Sequence, residues 1–281
     1  MIRFGPGGNS LSFYAAGKKS TAEAPAWVKD FGLDAYEYQG GQGIRGTDAS
    51  FVKIGEEAAR AGVALSVHAP YFISLSGIDE EKRLGSLRYI GQSIHAAELM
   101  GADTIVIHTG SASKISREEA VRLAKDTVYR ALCEFPDTKV RLGLETMGKV
   151  NQLGTLDEVI DICTLDRRLC PVVDFGHLNA RHIGSYFNTV DDYLRVFDRI
   201  EAVLGAEYAE TLHCHFSKIE YTGSGEKKHL TFDDTVFGPP YEPLLEALVK
   251  VGGSVRIICE SDGTMAEDAL TMKKHYNALL G

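Results

Sequence analysis

Six residues of metal-binding type stand at the ends of six successive apolar runs: His68, His108, Glu145, Asp174, His215 and Glu260. His177 follows three residues after Asp174, and His229 lies in the long segment after His215. Three carboxylates brought to one place repel one another unless cations neutralise them. Imidazole with carboxylate, and no cysteine in the set, suits Zn²⁺, Mn²⁺ or Fe²⁺ better than Ca²⁺ or Mg²⁺. Eight candidates are more than one ion needs, so the set predicts two or three ions. A lone His or Asp at the end of an apolar run is more often a cap or a satisfied polar residue. Six in succession are hard to assign that way.

The elements that must position these residues follow from the spacing. Strand patterns occupy 2–5, 35–39, 64–68, 104–108, 141–145, 171–175, 211–216 and 256–260. Helical patterns lie between them, near 22–31, 50–61, 79–100, 116–135, 155–165, 191–204, 241–251 and 264–279. In the third, Leu84, Leu87, Ile90, Ile94, Ala97 and Leu99 approximate a 3.6-residue period, and Gly101 supplies a stop. Thr155 and Glu158 have capping-box spacing. Strands alternating with helices imply right-handed crossovers and a parallel sheet. Eight such units predict a single α/β domain over residues 1–281, a (β/α)₈ TIM barrel. An open doubly wound sheet is the rival, but the glycine-rich GPGGNS (5–10) lacks GxGxxG spacing.

In a barrel the six strand-end residues share the C-terminal rim, where barrel enzymes do their chemistry. Counting back by two gives Ser66, Val106, Gly143, Val172, His213 and Ile258 as interior positions below it. The intervening Val67, Ile107, Leu144, Val173 and Cys259 should face the helices. His213 is left as either a partner of a ligand or a core histidine. His95, His182 and His275 read as structural or solvated.

Composition narrows the function classes. A net charge of −9 argues against general coating of nucleic acid, though a local basic face remains compatible with it. Arg45, Lys114, Lys149, Arg181, Lys218, Lys227 and Lys228 all follow strand ends and could form such a face. The five cysteines form no CxxC pair and read as free thiols, which suits a reducing cytoplasm. MIRFGPGG has no secretory pattern, and no run approaches the ~18 apolar residues of a membrane helix. The expectation is a cytoplasmic monomer with no membrane association and no obligate protein partner.

The chain resembles the endonuclease IV family over nearly its whole length. The resemblance is carried by HAPY (68–71), VIHTG (106–110), LETMGKVNQLGT (144–155), VDFGHLNA (173–180), HFSK (215–218) and CESDG (259–263). It implies a trinuclear zinc site on a (β/α)₈ barrel and cleavage of double-stranded DNA 5′ to abasic sites. His68, His108 and Glu145 would hold one ion. Glu145 would bridge to a second, held with Asp174, His215 and Glu260. His177 and His229 would serve a third. Glu145 and Glu260 would be the catalytic carboxylates, the first bridging and the second orienting the nucleophile. Tyr71 matches the aromatic that this family sets against distorted DNA, and Arg45 is the basic residue of the loop 39–46 that could reach it.

Two features depart from the family. Lys227 stands where the family has an Asp two residues before its second third-site histidine, leaving Glu226, Asp233 or Asp234 as substitutes. The loop QGGQGIRG (39–46) differs from the family's DNA-penetrating loop. Glu145, Asp174, His215 and Glu260 also satisfy the one- or two-ion pattern of sugar isomerases and epimerases in the xylose-isomerase-like barrels. A non-catalytic barrel that keeps metals for stability is the third reading.

Overall fold

The computed structural model describes residues 1–281. Its strands are β1 (Arg3–Pro6), β2 (Ala35–Gln39), β3 (Ala64–His68), β4 (Thr104–His108), β5 (Arg141–Glu145), β6 (Leu169–Asp174), β7 (His213–Phe216), β8 (Lys218–Thr222), β9 (Gly225–Leu230) and β10 (Arg256–Cys259). Eight of them form one parallel sheet in the order β1-β10-β7-β6-β5-β4-β3-β2. β1 and β2 bring its two edges together: the Asp34 amide donates to Phe4 O, and the Gly8 amide donates to Glu37 O, both at 2.9 Å. The expected TIM barrel is therefore formed, with the strands within a few residues of their predicted bounds.

Closure depends on Gly5. A Cβ built there would lie 1.8 Å from the Ala35 carbonyl oxygen on β2, and the backbone has nowhere to retreat. Gly5→Ala is expected to destabilise the protein by at least ~1–3 kcal/mol, the usual cost of overpacking. A urea midpoint unchanged from wild type would show that the seam between β1 and β2 is looser than this contact requires.

The strand pleat sorts residues as the sequence predicts. Val67, Ile107, Leu144, Val173 and Cys259 are buried against the helices in one continuous apolar cluster. Val106, Val172 and Ile258 are equally buried but stand apart from that cluster, inside the barrel. The helix Glu80–Met100 ends on Gly101 at φ 67°, a left-handed conformation that glycine adopts without the Cβ clash.

Besides short helices at Leu11–Ala15 and Ala206–Glu210, two unexpected features bear on the site. Asp174 is followed at once by a short helix, Phe175–Arg181, which carries His177. The segment after β7 is an antiparallel hairpin of β8 and β9 that carries His229. Arg181, read as a candidate for the basic face, is instead a buried strut. Its guanidinium donates to the carbonyls of Met147, Lys149, Val150 and Gln152 and fixes the loop after β5. Lys218 is likewise occupied, donating to the carbonyls of Phe232 and Asp234.

Candidate metal centre

Parallel strands finish side by side, so their last residues converge. Glu145, fully buried at the end of β5, is the centre of the convergence. Its Oε2 lies 3.4 Å from His68 Nε2 and 3.2 Å from His108 Nε2. Its Oε1 lies 3.0 Å from His215 Nδ1 and 3.4 Å from His177 Nδ1. Glu260, one residue past β10, places Oε2 3.5 Å from His215 Nδ1. Five overlapping groups have ligand atoms close enough together to share an ion: His68, His108 and Glu145; His68, His215 and Glu260; Glu145, Asp174, His215 and Glu260; His177, Glu226 and His229; and, below the rim, Glu37, His213 and His215.

Several rings are fixed by their second nitrogen, which selects the atom left for a ligand role. His68 Nδ1 is 2.8 Å from Ala69 O, leaving Nε2 toward Glu145. His177 Nδ1 is 2.9 Å from Thr146 O, leaving Nε2 toward Glu226 Oε2 at 3.5 Å. His229 Nδ1 is 2.8 Å from Ser217 Oγ. Asp174 divides its oxygens. Oδ1 accepts the His177 amide at 2.7 Å and caps the short helix, while buried Oδ2 has no hydrogen-bond partner. Glu145 Oε2 is also buried without one. Orphaned carboxylate oxygens pointing into a ring of imidazoles fit a divalent cation.

The electrostatics agree. Burial opposes charge on Glu145, His68, His177 and His215, yet their neighbours of opposite charge outweigh it. Burial raises Glu145, but the neighbouring histidines, His215 first, carry it well below the usual carboxylate range. Burial lowers His68, but hydrogen bonding and attraction to Glu145 lift it to about 9. His177 and His215 are raised well above the usual imidazole value against the same desolvation. Asp174 is raised, by burial first and then by Glu260 and Glu145. Protons on these rings therefore compete with cations. Metal affinity should rise as the pH climbs toward about 9, where His68 loses its proton, and fall as the pH drops. Competition titration against a chromophoric chelator at several pH values checks this; an affinity flat between pH 6 and 9 would contradict it.

The hairpin explains the departure at Lys227. Glu226 pairs with Tyr221 and Lys228 pairs with Glu220, so Lys227 is an extra residue at an irregularity in the ladder. Such a bulge shifts the alternation by one. Glu226 and His229, three apart, consequently share a face, which a regular strand would forbid. Lys227 turns outward to Glu220 at 2.5 Å. Of the three substitutes named from sequence, the fold brings Glu226 to His177 and His229.

Glu37 is the residue that sequence reasoning missed. It lies mid-strand on β2, level with Ser66, and is completely buried. Ser66 Oγ donates to its Oε2 at 2.8 Å, and His213 Nε2 is 3.0 Å from the same oxygen. Its Oε1 is 3.0 Å from His215 Nε2, a close ionic contact whose angle is too bent for a full hydrogen bond. His213, left open from sequence, is therefore a partner of Glu37 one step below the rim. The available signal was a carboxylate in the middle of AYEYQ, where an interior strand has no water to offer it.

Tyr71 stands at the mouth. Its ring stacks on His108 with centroids 5.3 Å apart, its hydroxyl donates to Gln39 Oε1 at 3.2 Å, and about half its surface stays exposed. Arg45 is exposed in the loop after β2, on the same rim, and makes no ion pair.

The barrel agrees with the fold of related proteins. Residues 25–275 match the family described as the xylose isomerase-like TIM barrel. The chain belongs to that family. An uncharacterized protein of Methanocaldococcus jannaschii is 33% identical over 77% of this chain and 78% of its own length. A probable endonuclease 4 of Acholeplasma laidlawii is 31% identical over 65% of this chain and 61% of its own. Two solved structures share the fold at lower identity. Endonuclease IV from Thermus thermophilus superposes with a TM-score of 0.70 at 21% identity, covering 99% of this chain and 98% of that one. A D-tagatose 3-epimerase-like protein gives 0.67 at 19% identity, covering 88% and 90%. As a xylose isomerase-like barrel, the chain sits in a family of enzymes, and its rim carries groups able to hold metal. No helix is long and apolar enough to cross a membrane.

Proposed function

We propose that the protein is a metal-dependent endonuclease of the endonuclease IV type, cleaving DNA on the 5′ side of abasic sites. The observation that carries this reading is the third ligand group, His177, Glu226 and His229, beside the Glu145-centred pair. A sugar isomerase needs only Glu145, Asp174, His215 and Glu260. A separate group, with two of its three ligands on a hairpin and a bulge that turns a carboxylate into it, has no purpose in that chemistry. Relatives named probable endonuclease 4 support the same reading.

His68, His108 and Glu145 would hold one ion, Glu145, Asp174, His215 and Glu260 a second, and His177, Glu226 and His229 a third. Zn²⁺ suits this donor set, with Mn²⁺ or Fe²⁺ as alternatives. Such ions supply Lewis acidity toward a phosphoryl oxygen and lower the pKa of a nearby water. The chain's residues do the rest. Glu145 joins the first two groups, and Glu260 stands at the rim, where its carboxylate can orient the attacking oxygen. Tyr71 offers an aromatic face at the mouth on which an unstacked base or sugar can rest. Arg45, Lys114 and Lys149 stand on loops around the same rim for phosphate contacts.

Incision of a duplex carrying one abasic site, with and without pre-chelation and with Zn²⁺ or Mn²⁺ restored, tests the proposal. The expected result is chelator-sensitive nicking on the 5′ side. The second reading, a sugar epimerase, rests on the four-ligand group being complete by itself. Ketose turnover without any incision would replace the first reading with the second.

The hairpin allows a sharper measurement. Glu226→Gln is expected to lower bound metal by one equivalent while the Glu145-centred groups stay loaded. Lys227→Ala, altering the residue the bulge expels, should leave metal content unchanged. The reverse pattern by elemental analysis would mean that the third group is assembled differently.

A further inference from the structure

The opposite end of the barrel holds a second concave site. A cavity of about 290 Å³ opens among the N-terminal ends of the strands, far more than the ~10–15 Å³ one water occupies. Branched apolar side chains usually fill a barrel interior. Here three arginines line the opening: Arg3 at the start of β1, Arg141 at the start of β5 and Arg256 at the start of β10.

The three are not equivalent. Arg256 is buried and engaged, donating to the Asp103 carboxylate at 2.9 and 2.5 Å and to Leu65 O at 3.3 Å. That is the only ion pair between lining residues. Arg3 and Arg141 have no carboxylate partner, and the guanidinium of Arg141 rests over the Tyr208 ring at 5.4 Å. Glu207 is the one lining carboxylate left unpaired, so the wall carries a net positive charge. In the sheet order β1 and β5 are four places apart of eight, so Arg3 and Arg141 approach from opposite walls. Arg256 also keeps a buried Nε–H with no hydrogen-bond partner. A buried guanidinium N–H without an acceptor is costly, and an anion in the cavity would relieve that cost.

We propose that this cavity binds a phosphate group, clamped between Arg3 and Arg141. Guanidinium matches phosphate bidentately, and two opposed guanidiniums suit a tetrahedral anion better than a planar carboxylate or a cation. The residues involved are separate from the metal rim, so this inference stands whether the rim cleaves DNA or isomerises a sugar.

The phosphate could be the free ion or the end of a phosphorylated metabolite, and two probes separate these. Inorganic phosphate and ribose 5-phosphate are each titrated calorimetrically into the full chain, and the bound state is mapped by hydrogen–deuterium exchange. Saturable binding is expected for at least one probe, with slowed exchange at residues 211–214 and 254–257. Arg3→Gln and Arg141→Gln should each weaken it at least about tenfold, the loss typical of a charge-assisted hydrogen bond. Arg3 is exposed and makes no side-chain hydrogen bond, so its variant alone decides the matter if Arg141→Gln does not fold. Tighter binding of ribose 5-phosphate assigns a metabolite; tighter binding of phosphate assigns the ion. Absence of saturable binding by both probes, protection confined to the rim segments 108–111 and 145–148, or affinity unchanged in both variants overturns the proposal.

Discussion

Glu145→Gln eliminates metal-dependent turnover, whichever substrate the rim accepts. The substitution keeps the volume and removes one negative charge from the point where four histidines meet. Gln offers one oxygen and one NH₂ where the carboxylate offers two oxygens. Glu145 Oε2 faces His68 and His108, and Oε1 faces His215 and His177. No rotation of an amide can serve both sides, because one side must then face a donor. The expected loss is at least roughly 10³-fold in turnover, at the upper end for removing a group that stabilises developing charge. Bound metal should fall with it, read by elemental analysis after dialysis. Full activity with full metal content would remove Glu145 from the bridging position.

Glu37→Gln is expected to cost roughly 10–100-fold in metal affinity or turnover, the range typical of residues that orient a ligand without touching the ion. Glu37 acts through His215. The carboxylate sits 3.0 Å from His215 Nε2, on the far side of the ring from Glu145 and Glu260, and its charge favours the proton on that nitrogen, leaving Nδ1 toward the rim. Burial raises its pKa, but His215 and His213 hold it well below the ordinary value, so it is an anion at neutral pH. Glu37→Ala goes further. It leaves Ser66 and two imidazoles buried without their shared acceptor, and breaking a buried charged network typically costs ~3–5 kcal/mol. A purely structural role would lower stability in both variants and leave the metal's surroundings alone. The deciding readout is therefore the visible spectrum of the Co²⁺-substituted protein. Glu37→Gln should shift its bands while the melting temperature changes little. An unaltered spectrum would reduce Glu37 to a packing residue.

The two variants differ in how visible their residues were. His68, His108, Glu145 and Asp174 end strands at the positions predicted, and His215 and Glu260 lie within a residue or two of theirs. Chain-local patterns suffice for this: an apolar run has a period, the period has an end, and the end lies on a known rim. The helix that places His177 was not visible, because it is only seven residues long and lies within a segment whose hydrophobic pattern continues the strand. Arg181 had the type and spacing of a phosphate contact, but its partners are four carbonyls of another loop, more than twenty residues away in sequence. Burial of a charged strut is set by what closes over it.

The barrel, its rim and most of the donors that reach the rim were legible along the chain, because periodicity and residue chemistry are properties of short segments. Three pairings were not. Glu37 meets His215 from a distant part of the chain, a bulge at Lys227 turns Glu226 toward His177, and Arg3 and Arg141 line one cavity from β1 and β5. These pairings depend on strand register and on the closure of the sheet, which fix distances between segments that share no local pattern.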